Sequence, residues 1–163
     1  MNFYIFRHGE TLETKNNIPY MGDEASAKIL SEGIPALERL AEYLLKIETD
    51  LNVSSPYKRC KETVKIVSQI SKKEFVYDPR LGEYYQETFE EFSSKIKDFL
   101  AEIQKKDYQN VAICTHGGVI AGLVYLLTSG NFYEENLNDF PRPGVLVTIE
   151  HGAVTYHDFN LGF

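Results

Sequence analysis

Apolar residues along this chain recur at two spacings in turn, one belonging to strands and the other to helices. The opening run from Asn2 to Phe6 reads as a buried strand, after which the chain turns polar and Gly-containing as far as Gly33. Leu37, Leu40, Ala41 and Leu44 then repeat at helical spacing, and Leu51-Asn52-Val53 reads as a short strand that stops at Ser54-Ser55-Pro56. Ser55 is a natural N-cap and Pro56 a natural first helical residue, which predicts a helix from there with Cys60, Val64, Val67 and Ile70 facing inward.

Phe75-Val76-Tyr77 reads as a further strand, followed by a loop through Leu81-Gly82-Glu83 to Gln86. Thr88 and Glu91 have the spacing of a capping box, and Phe89, Phe92, Ile96, Phe99, Leu100 and Ile103 form one apolar helical stripe behind it. Val111 to Cys114 has the unbroken apolar character of a strand buried on both faces. Gly117-Gly118 opens an apolar helix that reaches Leu127 and stops near Gly130. Val145 to Glu150 and Ala153 to His157 predict a hairpin around His151-Gly152. Strands alternating with helices predict an α/β fold, a three-layer α/β/α sandwich with a mainly parallel central sheet and an antiparallel C-terminal strand.

A chain of 163 residues without repeat or linker fits a single domain over 1–163. Hydrophobic residues at 43% and charged residues at 25% exclude a disordered or fibrous class. Seventeen basic against 24 acidic residues give a net charge of −7, so neither nucleic acid nor an anionic membrane is an expected partner. Any phosphate must be captured locally. The opening apolar run is too short for a signal peptide, and no apolar stretch, even Val119 to Leu127, approaches the roughly 20 residues that span a bilayer. Cys60 and Cys114 match no CxxC pattern and sit among apolar residues, as reduced packing thiols of a cytoplasmic protein would. Oligomeric state has no signature in the pattern.

In sheets of this kind the functional crevice lies at the carboxyl ends of the strands. Arg7-His8-Gly9-Glu10-Thr11 follows the first strand, Ser54-Ser55-Pro56 leading to Arg59 follows the second, and Thr115-His116-Gly117-Gly118 follows the Val111 strand. The chain has only five arginines, so two of them at such strand ends exceed scattered surface charge. A guanidinium fork matches phosphate oxygens, and the Gly117-Gly118 amides at a helix N-terminus favour an anion. The expected ligand is a phosphoryl group.

Taken in order, Arg7-His8-Gly9-Glu10-Thr11, Leu30-Ser31-Glu32-Gly33, Ser54-Ser55-Pro56 with Arg59 and Thr63, Leu81-Gly82-Glu83, and Thr115-His116-Gly117-Gly118 resemble the motifs of the histidine phosphatase, or phosphoglycerate mutase-like, superfamily. The resemblance runs through nearly the whole chain, and its shortness suggests an uncapped, phosphatase-type member. It implies that His8 is the nucleophile that becomes phosphorylated and that Arg7, Arg59 and His116 hold the phosphoryl oxygens, with Gly117 beside them. Glu83 takes the proton donor's position. These roles suit the chemistry of the residues. A neutral imidazole can form a phosphohistidine, two fixed cations can stabilise charge on the transferring group, and a protonated carboxyl can serve the leaving oxygen. A protonated His116 would add a third positive contact. No metal and no cofactor is expected.

The expected activity is metal-independent hydrolysis of a small phosphate monoester through phospho-His8. The alternatives are a protein phosphohistidine phosphatase, a phosphoglycerate mutase-type phosphotransferase and a non-catalytic phospho-ligand binding domain. Glu83 speaks against the phosphohistidine reading, because a P–N bond leaves readily without a positioned acid. Where larger relatives carry an Asn and a Gln-Gly pair, this chain has Thr14 and Tyr20-Met21-Gly22, so Thr14, Asn16, Asn17 and Tyr20 all compete to complete the phosphate pocket. The segment after Glu83 is too short for a cap, which favours a small or open pocket and hydrolysis over mutase chemistry. Glu87, Glu90 and Glu91, with Tyr84 and Tyr85, predict a rim that disfavours a second anion on the leaving group. Glu10 fits a site contact or a structural role equally, and His151 and His157, in the hairpin, are read as non-catalytic. Cys114 is not a phosphatase nucleophile, since the position six residues on, where such an enzyme needs Arg, is Ile120.

Overall fold

The computed structural model describes residues 1–22 and 25–160; Asp23 and Glu24 of the early polar stretch, and residues 161–163 at the end of the expected domain, lie outside the described residues. In chain order the elements are β1 (Asn2–Arg7), α1 (Leu12–Asn16), α2 (Ile34–Leu45), β2 (Leu51–Ser54), α3 (Lys58–Ser71), β3 (Val76–Tyr77), α4 (Phe89–Gln104), β4 (Asn110–Thr115), α5 (Gly117–Thr128), β5 (Val145–Glu150) and β6 (Ala153–Asp158). The strands form one sheet in the order β3-β2-β4-β1-β5-β6. β3, β2, β4 and β1 are mutually parallel, β5 runs against β1, and β6 turns back against β5.

Period-two alternation sorts the sheet residues between the layers. Phe3, Ile5, Val53, Val111, Ile113, Val147 and Ile149 face α4 and α5 with Phe92, Ile96, Phe99 and Ile120. Tyr4, Phe6, Ala112, Cys114 and Leu146 face α2 and α3 with Leu40, Leu44, Val64 and Val67. Helices on both sides of a mainly parallel sheet give the three-layer sandwich that the pattern predicts. The α4 and α5 helices come close at Gly122, where a Cβ would stand 2.8 Å from Ile96 Cδ1.

Several local expectations need correction. The α3 helix begins at Lys58 with Tyr57 as N-cap, two residues later than the Ser55-Pro56 signal suggests. Ser55 is instead fully buried at the end of β2, its hydroxyl engaged by His116. At α4 the capping is one-sided: Thr88 Oγ1 accepts from Glu91 N–H, but no bond returns from the Glu91 side chain among the described contacts. A reciprocal box does form at α1, an element the polar stretch gave no reason to expect, between Thr11 and Thr14. The final hairpin turns through His151 and Gly152, both at positive φ (52° and 81°), a turn geometry that joins antiparallel strands without splaying them.

The parallel register brings three strand ends to one edge. Arg7 pairs with Thr115, and Ser54 with Cys114. The segments leaving these strands stay tied to the sheet through His8 N–H to Thr115 O (3.0 Å) and Ser55 N–H to Cys114 O (3.0 Å).

Candidate active site

His8, Arg59 and His116 converge at this edge, each fully buried, with Arg7 and Glu83 beside them at the cavity mouth. His8 Nδ1 lies 2.7 Å from the Gly9 carbonyl oxygen. A carbonyl only accepts, so Nδ1 carries the proton in that bond and Nε2 presents its lone pair. His8 Nε2 is buried and makes no hydrogen bond among the described contacts. Burial, then the Arg7 and Arg59 charges, hold the imidazole well below its ordinary pKa, outweighing the Gly9 carbonyl. His8 is a neutral, oriented base.

That orientation is fixed from behind. Gly9 N–H donates to Thr63 Oγ1 (2.8 Å), and the Thr63 hydroxyl donates to the Arg59 carbonyl (2.6 Å), so one buried side chain couples the residue after His8 to the turn of α3 that carries Arg59. Arg59 enters from the first turns of α3, its guanidinium 4.2 Å from the Tyr20 ring centroid and 5.2 Å from that of Tyr57. Its Nη2 donates to Glu83 Oε2 at 3.3 Å. Arg7, pushed below its usual pKa chiefly by burial, lies under the Phe140 ring at 4.8 Å.

The rings of His8 and His116 lie 5.3 Å apart. His116 Nε2 is 2.8 Å from Ser55 Oγ, and Ser55 Oγ in turn accepts from Tyr57 N–H at 3.3 Å. No other acceptor for the Ser55 hydroxyl proton is seen among the described contacts, so that proton goes to Nε2 and the ring proton sits on Nδ1, the nitrogen 3.6 Å from Glu83 Oε2. Burial, followed by the nearby His8, Arg59 and Arg7, holds His116 well below its ordinary pKa. In that state His116 offers a neutral N–H donor rather than a positive charge. His116 is also the N-cap of α5 and makes no side-chain bond to its own helix, leaving the first-turn amides at Gly117 and Gly118 facing the site.

Glu83 owes its position to the short loop before α4. Thr115 Oγ1 donates to Leu81 O at 2.6 Å, and Glu83 Oε1 accepts from Tyr84 N–H at 3.1 Å. The carboxylate thus meets Arg59 and His116 at the mouth of a cavity of about 200 Å³.

Among the four residues competing for the pocket's open side, Tyr20 is the one beside Arg59, with its hydroxyl 2.9 Å from Thr11 Oγ1. Thr14 is committed to the α1 cap, and Asn16 and Asn17 are exposed. Glu10 lines a separate small cavity of about 110 Å³ with Gly33 and Arg142. Glu90 and Glu91 lie on the α4 surface, and Glu87 is engaged by Lys95 Nζ at 2.8 Å, so the acids foreseen as a rim do not line the site cavity. His151 N–H bonds the Asn2 side chain at the opposite end of β1, and His157 packs on Tyr43, both away from the cluster. Cys60 and Cys114 are buried free thiols, with Cys60 Sγ 3.6 Å from His116 Nε2. Among the described residues no group of three or more His, Cys, Asp or Glu side chains is placed to hold a metal ion, and no helix is long and apolar enough to cross a membrane.

Sequence reasoning missed Phe140, Leu137, Asn138 and Tyr57. Phe140 lies in Phe-Pro-Arg-Pro, more than twenty residues beyond His116, and nothing local in that segment signals a site wall.

A family model for the histidine phosphatase superfamily (branch 1) matches residues 3–86 and 84–148. The chain belongs to that superfamily, and its enzyme class is that of the phosphatases. It is 26% identical over 159 residues to a Hydrogenobacter thermophilus protein named "Putative phosphoserine phosphatase 2", covering 77% of each chain. Its fold matches that of the alpha-ribazole phosphatase from Shigella flexneri with a TM-score of 0.78 at 21% identity, over 97% of this chain and 95% of that one. The protein histidine phosphatase SixA, solved with tungstate, superposes with a TM-score of 0.68 at 17% identity, over 96% and 94% of the two chains.

Proposed function

We propose that the protein is a metal-independent phosphomonoesterase that hydrolyses a small phosphate ester through a phosphohistidine on His8. The observation that carries this reading is the buried, neutral His8, whose Nδ1–H is held by the Gly9 carbonyl while Nε2 is left without a hydrogen bond among the described contacts, in a ring that feels the charges of Arg7 and Arg59. A site that only bound phosphate would gain nothing from a buried, oriented lone pair beside its cations.

In the first step His8 Nε2 attacks phosphorus as the ester P–O bond breaks. Arg7, Arg59, the His116 Nδ1–H and the α5 amides carry the charge on the equatorial oxygens. Protonated Glu83 gives its proton to the departing alkoxide. Water then attacks the phosphohistidine, Glu83 carboxylate takes the water's proton, and the P–N bond breaks to return neutral His8 and inorganic phosphate. Glu83, held at the cavity mouth by the Tyr84 amide, supports an oxygen leaving group over the P–N leaving group of a phosphohistidine substrate.

In this reading residues 1–163 act as one catalytic domain, since the described strands from both ends of the chain share one sheet. The two free buried thiols support a reducing compartment, the cytoplasm. The partner is a small phosphorylated substrate rather than nucleic acid or a membrane.

Rapid quenching during turnover should leave acid-labile, base-stable phosphate on the wild-type protein and none on His8→Ala, with turnover unchanged by EDTA and abolished by that substitution. Wild-type turnover in His8→Ala, or strict dependence on added Mg²⁺ or Zn²⁺, would end this reading.

A further inference from the structure

Beyond the phosphoryl group, the site cavity has a second wall of different chemistry. Arg7, Glu83, Gly117 and Gly118 bring the catalytic motifs to its lining, and Tyr84, Leu137, Asn138 and Phe140 supply the rest, the outer wall. The leaving group belongs in this cavity, because the carboxyl that would protonate it is part of the same lining.

Three features of the outer wall bear on what it accepts. First, it is aromatic and fixed. Tyr84 stacks on Phe92 with ring centroids 4.8 Å apart and planes 17° from parallel, and Phe92 is itself fully buried. Phe140 is wedged between the Arg7 guanidinium and the α5 N-terminus, so close that a Cβ on Gly117 would fall 2.4 Å from its ring. Pro141 and Pro143 follow it and stiffen the segment that presents it. Second, Arg7 is the one cation among the residues lining the cavity, and the phosphoryl group claims it. A carboxylate or second phosphate on the leaving group would be desolvated beside Glu83 without a counter-charge. Third, beside the Tyr84 hydroxyl the wall offers one amide side chain, Asn138, able to bond a hydroxyl or ring nitrogen.

Resting on the phosphomonoesterase reading, we propose that this wall selects phosphate esters of uncharged alcohols carrying a flat apolar or aromatic body, with Phe140 as the specificity-determining surface. Esters whose alcohol carries a carboxylate or second phosphate, phosphoserine and 3-phosphoglycerate among them, are the disfavoured class.

The test compares kcat/KM of the wild-type protein on benzyl phosphate, ethyl phosphate, phosphoserine and 3-phosphoglycerate, all alkyl esters that need protonation of the leaving oxygen. Benzyl phosphate should exceed each anionic ester by tenfold or more. Phe140→Ala should cut the benzyl-to-ethyl ratio at least fivefold, mainly through KM, and Phe140→Leu should recover part of it. Anionic esters matching or exceeding benzyl phosphate, or a Phe140→Ala loss equal on benzyl and ethyl phosphate, would overturn the proposal. Phosphate trapped on His8 in the same reactions separates the two levels. If His8 is labelled without benzyl preference, the wall argument fails and the phosphohistidine stands; if no ester labels His8, the underlying reading fails.

Discussion

Thr63→Val isolates the buried link between His8 and Arg59. Thr63 is fully buried, accepts from Gly9 N–H at 2.8 Å and donates to Arg59 O at 2.6 Å. Valine keeps the side chain's shape and nearly its helix propensity while removing the hydroxyl. The Arg59 carbonyl keeps its acceptor place in the helix ladder, so its loss is small. Gly9 N–H is left buried without an acceptor, which costs about 1–3 kcal/mol, partly offset by the added methyl. The expected net loss is about 1–2 kcal/mol, or roughly 2–8 °C in Tm for a domain of this size. Thr63→Ser returns the oxygen and deletes one methyl, for about 1 kcal/mol. Urea unfolding followed by far-UV circular dichroism should rank wild type above Thr63→Ser above Thr63→Val, against the order of side-chain hydrophobicity. Thr63→Val as stable as Thr63→Ser, or more so, would refute the claim that Gly9 depends on this hydroxyl.

Two further outcomes follow from the site. Glu83→Gln keeps the shape and removes the acid, so hydrolysis of alkyl phosphates should fall by ~10²-fold or more while p-nitrophenyl phosphate, whose leaving group hardly needs a proton, loses much less; equal loss on both substrate types removes Glu83 as the acid. Stability should depend on pH through His8 and His116, both held well below the ordinary 6.5. Above about pH 6.5 neither ring carries a proton in either state, but below it the unfolded chain binds protons that the folded one refuses, so stability falls as pH drops, by about 1.4 kcal/mol per pH unit for each histidine until its folded-state pKa is reached. Urea midpoints at pH 7.5 and 5.5 should therefore separate in wild type and separate less in His8→Asn; the same separation in both proteins would show that His8 is not the group responsible.

Period and punctuation along the chain determined the layered fold, because a sheet covered on both faces must be written as near-continuous apolar strands between amphipathic helices. They also placed Arg7, His8, Glu83 and His116 at the carboxyl ends of strands or in the loops beyond, and Arg59 in the first turns of the helix that follows, where side chains are free of the ladder and can converge. Ser55 shows where local reading stops: by itself it is a helix cap, and only the register of β2 against β4 brings it to His116 Nε2 and moves the helix start to Lys58. His116 shows the same for charge. Its type allows a cation, but burial between His8, Arg59 and Arg7 makes it neutral, and burial belongs to the assembled core. Tyr20 was one competitor among four until the chain folded its ring onto Arg59. Phe140 had no local signature at all, since its role comes from the approach of a distant loop to a glycine whose missing side chain leaves room for the ring. Strand and helix identity are decided within a few residues, whereas a cavity wall is decided by which segments, far apart in the chain, the finished sheet brings into contact.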